Sequence, residues 1–145
     1  MNILSIISFK IILNPEYLKL IEQSIIAKKF SYSPYSGFSV GAALLTKKNN
    51  IYTGTNVENA SYSLSICAER VAFTKAVSEG EKNFKAIAIT AAKNIFVYPC
   101  GACRQFMYEF DKDIDVILVK TKNQFKIIKL SELLPSGFDK NSFLK

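Results

Sequence analysis

The sequence predicts a mixed α/β domain: a five-stranded sheet with helices on both faces and its last two strands antiparallel. Three observations carry that expectation. Segments with helical periodicity alternate with strand-length apolar runs along the chain. The run Ala86-Ile87-Ala88-Ile89-Thr90 is nearly all apolar, the pattern of a strand covered on both faces. The link Lys120-Thr121-Lys122-Asn123 is too short to join parallel neighbours, so the strands on either side of it pair antiparallel.

With 145 residues, 49% of them hydrophobic, the chain suits one compact domain with a core of ordinary size. No apolar run reaches the roughly 18 residues that cross a bilayer, so no membrane partner is expected. The Ile/Leu-rich stretch Met1 to Leu13 is broken by Lys10 and lacks both the basic start and the small-residue cleavage site of a secretory signal. It reads as an N-terminal extension (1–13) ahead of a domain covering 14–145.

The first helix starts at Asn14-Pro15-Glu16, with Asn as N-cap and Pro in the first turn. Leu18, Ile21, Ile25 and Ile26 follow at helical spacing to about Lys29. Residues 31–37, rich in Ser with Pro34 and Gly37, form a turn-rich loop. Strands 38–46 and 51–57 are joined by Lys47-Lys48-Asn49-Asn50 as a hairpin. A second helix runs from Cys67 to about Glu79, with Ala68, Val71, Ala72, Ala76 and Val77 as its apolar stripe and Gly80 as its stop. Strand 86–90 follows. Pro99 then opens a third helix from Cys100 to about Phe110, and strands 114–119 and 125–130 complete the sheet.

The chemistry concentrates in Cys67-Ala68-Glu69-Arg70 and Pro99-Cys100-Gly101-Ala102-Cys103-Arg104. These segments hold all three cysteines and the only two arginines of a chain whose other cations are lysine. An odd number of cysteines cannot pair off, and clustered thiols in a reducing compartment such as the cytoplasm are metal ligands or catalytic groups more often than disulfides. Histidine is absent, which excludes Ser-His and Cys-His catalysis and any imidazole ligand. The net charge of +7 invites a nucleic-acid reading, but the lysines are scattered with no run of five, so no nucleic-acid partner is expected.

A helix of about 13 residues rises about 20 Å, and a returning strand of six or seven covers about the same distance. The third helix therefore begins beside the start of the second, which makes neighbours of Cys67 and Cys100, with Cys103 one turn further on. Both clusters then lie at helix N-termini, where free N–H groups and the positive end of the dipole favour thiolate. Three thiolates leave one corner of a tetrahedral zinc open, the mark of a catalytic rather than a structural site. So electron-rich a centre needs charge drawn off its sulfurs, a role that falls to Arg70 and Arg104. Glu69, two residues past Cys67, faces the open corner as a general acid/base. Alone, an acid in a first turn complements the helix dipole; beside two cysteine clusters the proton-transfer reading is preferred.

Cys-Ala-Glu-Arg followed by Pro-Cys-Gly-Ala-Cys-Arg-Gln resembles the zinc-dependent cytidine deaminase family, in its small homotetrameric branch. The resemblance extends through Tyr32-Ser33-Pro34-Tyr35-Ser36, residues 38–43, Asn56-Val57-Glu58-Asn59-Ala60-Ser61-Tyr62 and Leu133-Leu134-Pro135-Ser136-Gly137-Phe138. It implies a three-layer α/β/α fold and one zinc per subunit on Cys67, Cys100 and Cys103. It also implies that Glu69 shuttles a proton as hydroxide attacks C4 of cytosine and ammonia leaves. Phe38 would pack on the pyrimidine, Ala68 would contact the substrate, and Asn56 and Glu58 would hydrogen-bond the ribose of cytidine or 2′-deoxycytidine. Phe138 would close the site of a neighbouring subunit in a homotetramer. Polynucleotide deaminases share the zinc chemistry, but as a family matter place a helix between the last two strands, where residues 120–123 leave no room. Tyr98 stands where relatives carry a small hydroxyl residue, and bears on pocket shape.

Overall fold

A computed structural model describes residues 14–143; the extension 1–13 lies outside the described residues. Helix α1, Pro15–Ala27, begins where expected: the Asn14 side chain accepts from the backbone N–H of Glu16 at 3.0 Å, and Pro15 supplies the fixed φ of a first helical residue. A 3-10 turn, Lys28–Phe30, continues it. Its buried face differs from the expected one. Leu20, Ile21, Ser24 and Ala27 are buried, whereas Leu18 and Ile26 are exposed. Counting only apolar residues passes over Ser24, which is wholly buried because its hydroxyl donates to the Ile21 carbonyl at 2.7 Å and pairs with Thr90 Oγ1 at 2.5 Å.

Strands β1, Val40–Thr46, and β2, Ile51–Thr55, form the expected antiparallel hairpin, with Gly41 opposite Thr55 and Leu45 opposite Ile51. Helix α2, Ala68–Ser78, has Cys67 as N-cap residue and stops at Gly80, whose φ of 94° suits a residue without a Cβ. Its core face includes Ala68, Ala72 and Ala76 as expected, and also Phe73, which the stripe read from the sequence omits. Phe73 is the hub of an aromatic group, 4.8 Å from Phe84 edge-on and 5.4 Å from Phe110 in a stack.

Strand β3, Phe84–Ala91, is longer than its expected range and almost wholly buried. Helix α3, Gly101–Tyr108, has Cys100 as N-cap residue. Strands β4, Asp115–Thr121, and β5, Gln124–Lys129, are antiparallel, as the short link requires. A short helix α4, Leu130–Leu133, follows; no sequence signal announced it.

The sheet order is β2-β1-β3-β4-β5, with β3 and β4 parallel and the other pairs antiparallel. Alternate residues feed two cores. Ala42 and Leu44 of β1 join Ala68, Phe73 and Met107 beneath α2 and α3, while Ala43 and Leu45 join Leu20 and Ile21 beneath α1. The three-layer α/β/α arrangement follows from that split. The register sets Val40 opposite Ala91 and Gly41 opposite Thr55, so the start of β1 and the ends of β2 and β3 share one end of the sheet. Among the described residues no helix is long and apolar enough to cross a membrane.

Candidate active site at the N-termini of α2 and α3

Two helices that start side by side bring the three cysteines together. Cys67 precedes α2, Cys100 precedes α3, and Cys103 lies in the first turn of α3. Their sulfurs all lie within 4.8 Å of one another, and Cys67 and Cys100 are 3.9 Å apart, Sγ to Sγ. Sulfurs at about 2.3 Å from a tetrahedral zinc are about 3.8 Å from each other, so the spacing fits that ion. Cys103 is buried, Cys67 half-buried and Cys100 exposed, which leaves the cluster open on one side.

The donors are also chemically suited. Cys67 is pushed down, first by sharing a proton with neighbouring Cys103 and further by Arg70, against the opposing effect of burial. Cys103, which holds that proton and is buried, is pushed up. A cation that binds thiolates takes the place of such a shared proton. Arg70 sends Nη2 to Cys67 Sγ at 4.0 Å and to the Ser65 carbonyl at 3.5 Å, while its buried Nε has no partner among the described residues. The guanidinium that reaches the Cys67 sulfur thus keeps one buried N–H donor without an acceptor.

Arg104 is placed differently. Its Nε donates to the Pro99 carbonyl at 2.7 Å and its Nη1 to the Leu133 carbonyl at 2.8 Å; no sulfur is among its hydrogen-bond partners in the described residues. Adjacency to Cys103 in sequence does not aim the guanidinium at the thiols, because α3 turns it toward the peptide before Cys100 and the end of α4.

Glu69 is 4% exposed. Burial pushes its carboxyl up to about 7, helped by the negative charge on Cys67 and opposed by hydrogen bonds from its own backbone and from Cys103. The carboxyl thus stands beside the thiols, poised between protonated and ionised near neutral pH. Ala68, wholly buried between Cys67 and Glu69, lines the same first turn.

A second group forms at the loop before β1. Asn56 Oδ1 accepts from Val40 N at 2.9 Å and from the Ser31 hydroxyl, and its Nδ2 donates to the Phe38 carbonyl at 2.8 Å. One Nδ2 hydrogen remains. Glu58 Oε2 accepts from Tyr35 N at 2.9 Å and Ser36 N at 3.2 Å, and Oε1 accepts from the Ser36 hydroxyl; these bonds, that of Ser36 first, hold its carboxyl below the usual range. A cavity of about 340 Å³ is lined by Tyr35, Ser36, Glu58, Tyr62 and Ser65. Ser31 and Ser36, which organise Asn56 and Glu58, were not singled out from the sequence; their partners lie 25 and 22 positions away.

Phe138 stands apart. The residue is 61% exposed, its ring stacks on Phe143 at 5.9 Å, and its backbone N–H and C=O both bond the side-chain amide of Gln105 on α3. Tyr98, just before Pro99, is exposed.

The family model described as the cytidine and deoxycytidylate deaminase zinc-binding region matches residues 15–120, including all three cysteines and Glu69. The chain belongs to this family. A cytidine deaminase of Sporosarcina psychrophila is 47% identical over 123 residues, covering 84% of this chain and 90% of the relative. One from Halalkalibacterium halodurans is 48% identical over 120 residues, covering 82% and 91%. Among solved structures, the cytidine deaminase of Burkholderia pseudomallei superposes with a TM-score of 0.79 at 41% identity, over 83% of this chain and 97% of that one. Zinc is therefore the cofactor that the family and the three-thiol cluster jointly indicate.

Proposed function

We propose that this protein is a zinc-dependent hydrolase that converts cytidine and 2′-deoxycytidine to uridine and 2′-deoxyuridine, with water consumed and ammonia released. The observation that carries the reading is a buried carboxyl in the same helical turn as one of three converging thiols. The relatives named above, at nearly half identity over most of both chains, support the same substrate class.

Cys67, Cys100 and Cys103 would hold the zinc, which supplies a Lewis acid and lowers the pKa of water. The protein's own groups do the rest. Glu69 takes a proton at its carboxylate as water adds to C4, and returns it so that the amino group leaves as ammonia. Its burial keeps bulk water from competing for that proton. Arg70 donates to the Cys67 sulfur and withdraws negative charge from the thiolates. Phe38 packs on the pyrimidine, and Ala68 contacts the same ring from the first turn of α2. Asn56 offers its free Nδ2 hydrogen, and Glu58 its remaining lone pairs, to the ribose hydroxyls. A carboxylate held ionised at that end repels a 5′-phosphate, which favours nucleosides over nucleotides and nucleic acid.

The working form is a homotetramer in which Phe138 closes a neighbour's site. Exposed Phe30, Tyr62, Leu64 and Phe138, each more than 60% accessible, give it apolar surface to bury. Three free thiols suit the reducing cytoplasm, where the reaction would serve pyrimidine salvage. The test is to incubate purified protein with cytidine and measure uridine and ammonia, with and without a chelator, beside elemental analysis. About one zinc per chain and chelator-sensitive uridine formation are expected; turnover indifferent to zinc removal overturns the reading.

A further inference from the structure

Gly54 is the one buried residue of β2. A Cβ built there would lie 2.4 Å from the Ala68 carbonyl oxygen, 2.5 Å from Ala72 N and 3.1 Å from Ala72 Cα. All three are backbone atoms, so no side chain can swing aside. Ala68 O and Ala72 N are also the acceptor and donor positions of the second i→i+4 bond of α2, next after that from Val71 N to the Cys67 carbonyl. Gly54 does not have the positive φ of Gly37 and Gly80, so space and not conformational freedom calls for a glycine.

Cys67 and Glu69 flank Ala68 in the first turn of α2, while Cys100 and Cys103 are carried by α3. The distance between the two sets of ligands therefore depends on how deeply the start of α2 sinks onto β2. We infer that Gly54 is a positioning residue of the metal centre: by letting the first turn of α2 rest on bare strand backbone, it sets the approach of Cys67 and Glu69 to Cys100 and Cys103. Restoring ordinary van der Waals contact for an added methyl would lift this turn by about 1 Å, well beyond the roughly 0.2 Å tolerance of metal–ligand distances.

A matched control lies on the opposite face. A Cβ on Gly41 of β1 would lie 2.3 Å from Ser24 O and 2.4 Å from Lys28 N, the backbone of α1 and of the 3-10 turn that continues it. Gly41→Ala thus inflicts the same kind of clash and the same unfolded-state entropy change, but on the helix that carries no ligand.

The inference rests on Cys67, Cys100 and Cys103 being the ligands, and cobalt(II) is a probe that tests the two separately. The wild-type chain loaded with cobalt(II) should show intense thiolate-to-cobalt charge transfer and the d–d bands of a tetrahedral site. Their absence would remove the ligand assignment itself. Given those bands, Gly54→Ala should change their position and intensity and weaken zinc about 10- to 100-fold in chelator competition, the range for groups that orient ligands. Its kcat should fall by up to about 10²-fold, as expected for a 1 Å misplacement. Gly41→Ala should lower Tm by a similar amount and leave the cobalt spectrum and zinc affinity unchanged. If Gly54→Ala fails to accumulate as folded protein, the same variant refolded in the presence of cobalt(II) should still show bands displaced from those of the wild type. A wild-type spectrum in Gly54→Ala, as isolated or refolded with cobalt(II), overturns the inference, as does an equal spectral change in Gly41→Ala.

Discussion

The two faces of the sheet carry polar groups to opposite ends. Under α1, each polar group set against the core is closed off by its partner. Ser24 pairs with Thr90, and Tyr17 donates to Asp115 at 2.6 Å while Lys129 holds the other Asp115 oxygen at 2.6 Å. Under α2 and α3 the groups at the helix starts are left wanting. Arg70 Nε has no acceptor among the described residues, Glu69 is raised toward neutrality, and Cys67 is drawn toward thiolate. Both faces bury an apolar cluster, so the presence of a core does not tell them apart. Unfinished hydrogen bonding does, because a group already satisfied by its own fold has nothing to offer a metal or a substrate.

The strongest way to break that contrast is Glu69→Gln. The amide keeps the shape but cannot accept the proton, so kcat should drop by about 10²- to 10⁴-fold while zinc content by elemental analysis stays near one per chain. Turnover within a few-fold of wild type would remove Glu69 from proton transfer. Next in size is Arg70→Ala. Losing a charged hydrogen bond worth about 1.5–3 kcal/mol should lower kcat by about tenfold or more, with a smaller loss of zinc. A loss of zinc that accounts for the whole fall in rate would make Arg70 a structural support of the ligands.

On the α1 face the expected effects are on stability alone. Thr90→Val leaves the Ser24 hydroxyl with only its bond to Ile21, at a cost of about 1–3 kcal/mol in denaturant unfolding, and kcat and KM should stay at wild-type values. A kinetic defect there would erase the division between the faces. The smallest effect is a pH dependence. Tyr17 is raised above its ordinary value of 10.0, first by burial and then by its bond to Asp115. A folded-state pKa above the unfolded one means that the native state holds the proton longer, so this stability is complete below about pH 10 and is lost as pH rises beyond it. Tyr17→Phe should flatten that alkaline decline in thermal melts without altering turnover at neutral pH; an unchanged slope would assign it to other groups.

Legibility in the sequence followed the same division. Cys67, Cys100, Cys103, Glu69 and Arg70 sit in two short segments at helix starts, and local spacing with simple length counting brought them together. The antiparallel β4–β5 pair was equally plain, since a short link permits little else. The residues passed over or differently placed depend on partners far along the chain. Ser24 is passed over in a count of apolar positions, because its partner Thr90 lies 66 positions on. Phe73 falls outside an alanine stripe until Phe84 and Phe110 close around it. Arg104 shares its neighbourhood with the thiols yet bonds Pro99 and Leu133, because the roll of α3 and the arrival of α4 decide which acceptors it meets.

By itself the sequence determined which atoms could ligate a cation, that no imidazole could take part, and that both ligand segments begin helices. Those are matters of residue type and of spacing within a turn or two, where backbone geometry leaves few choices. Only the tertiary structure decided how far apart the sulfurs stand, which arginine reaches them, and how strongly Glu69 is desolvated. These depend on the depth to which α2 and α3 settle on the sheet, a distance set by packing between residues that are remote in the chain.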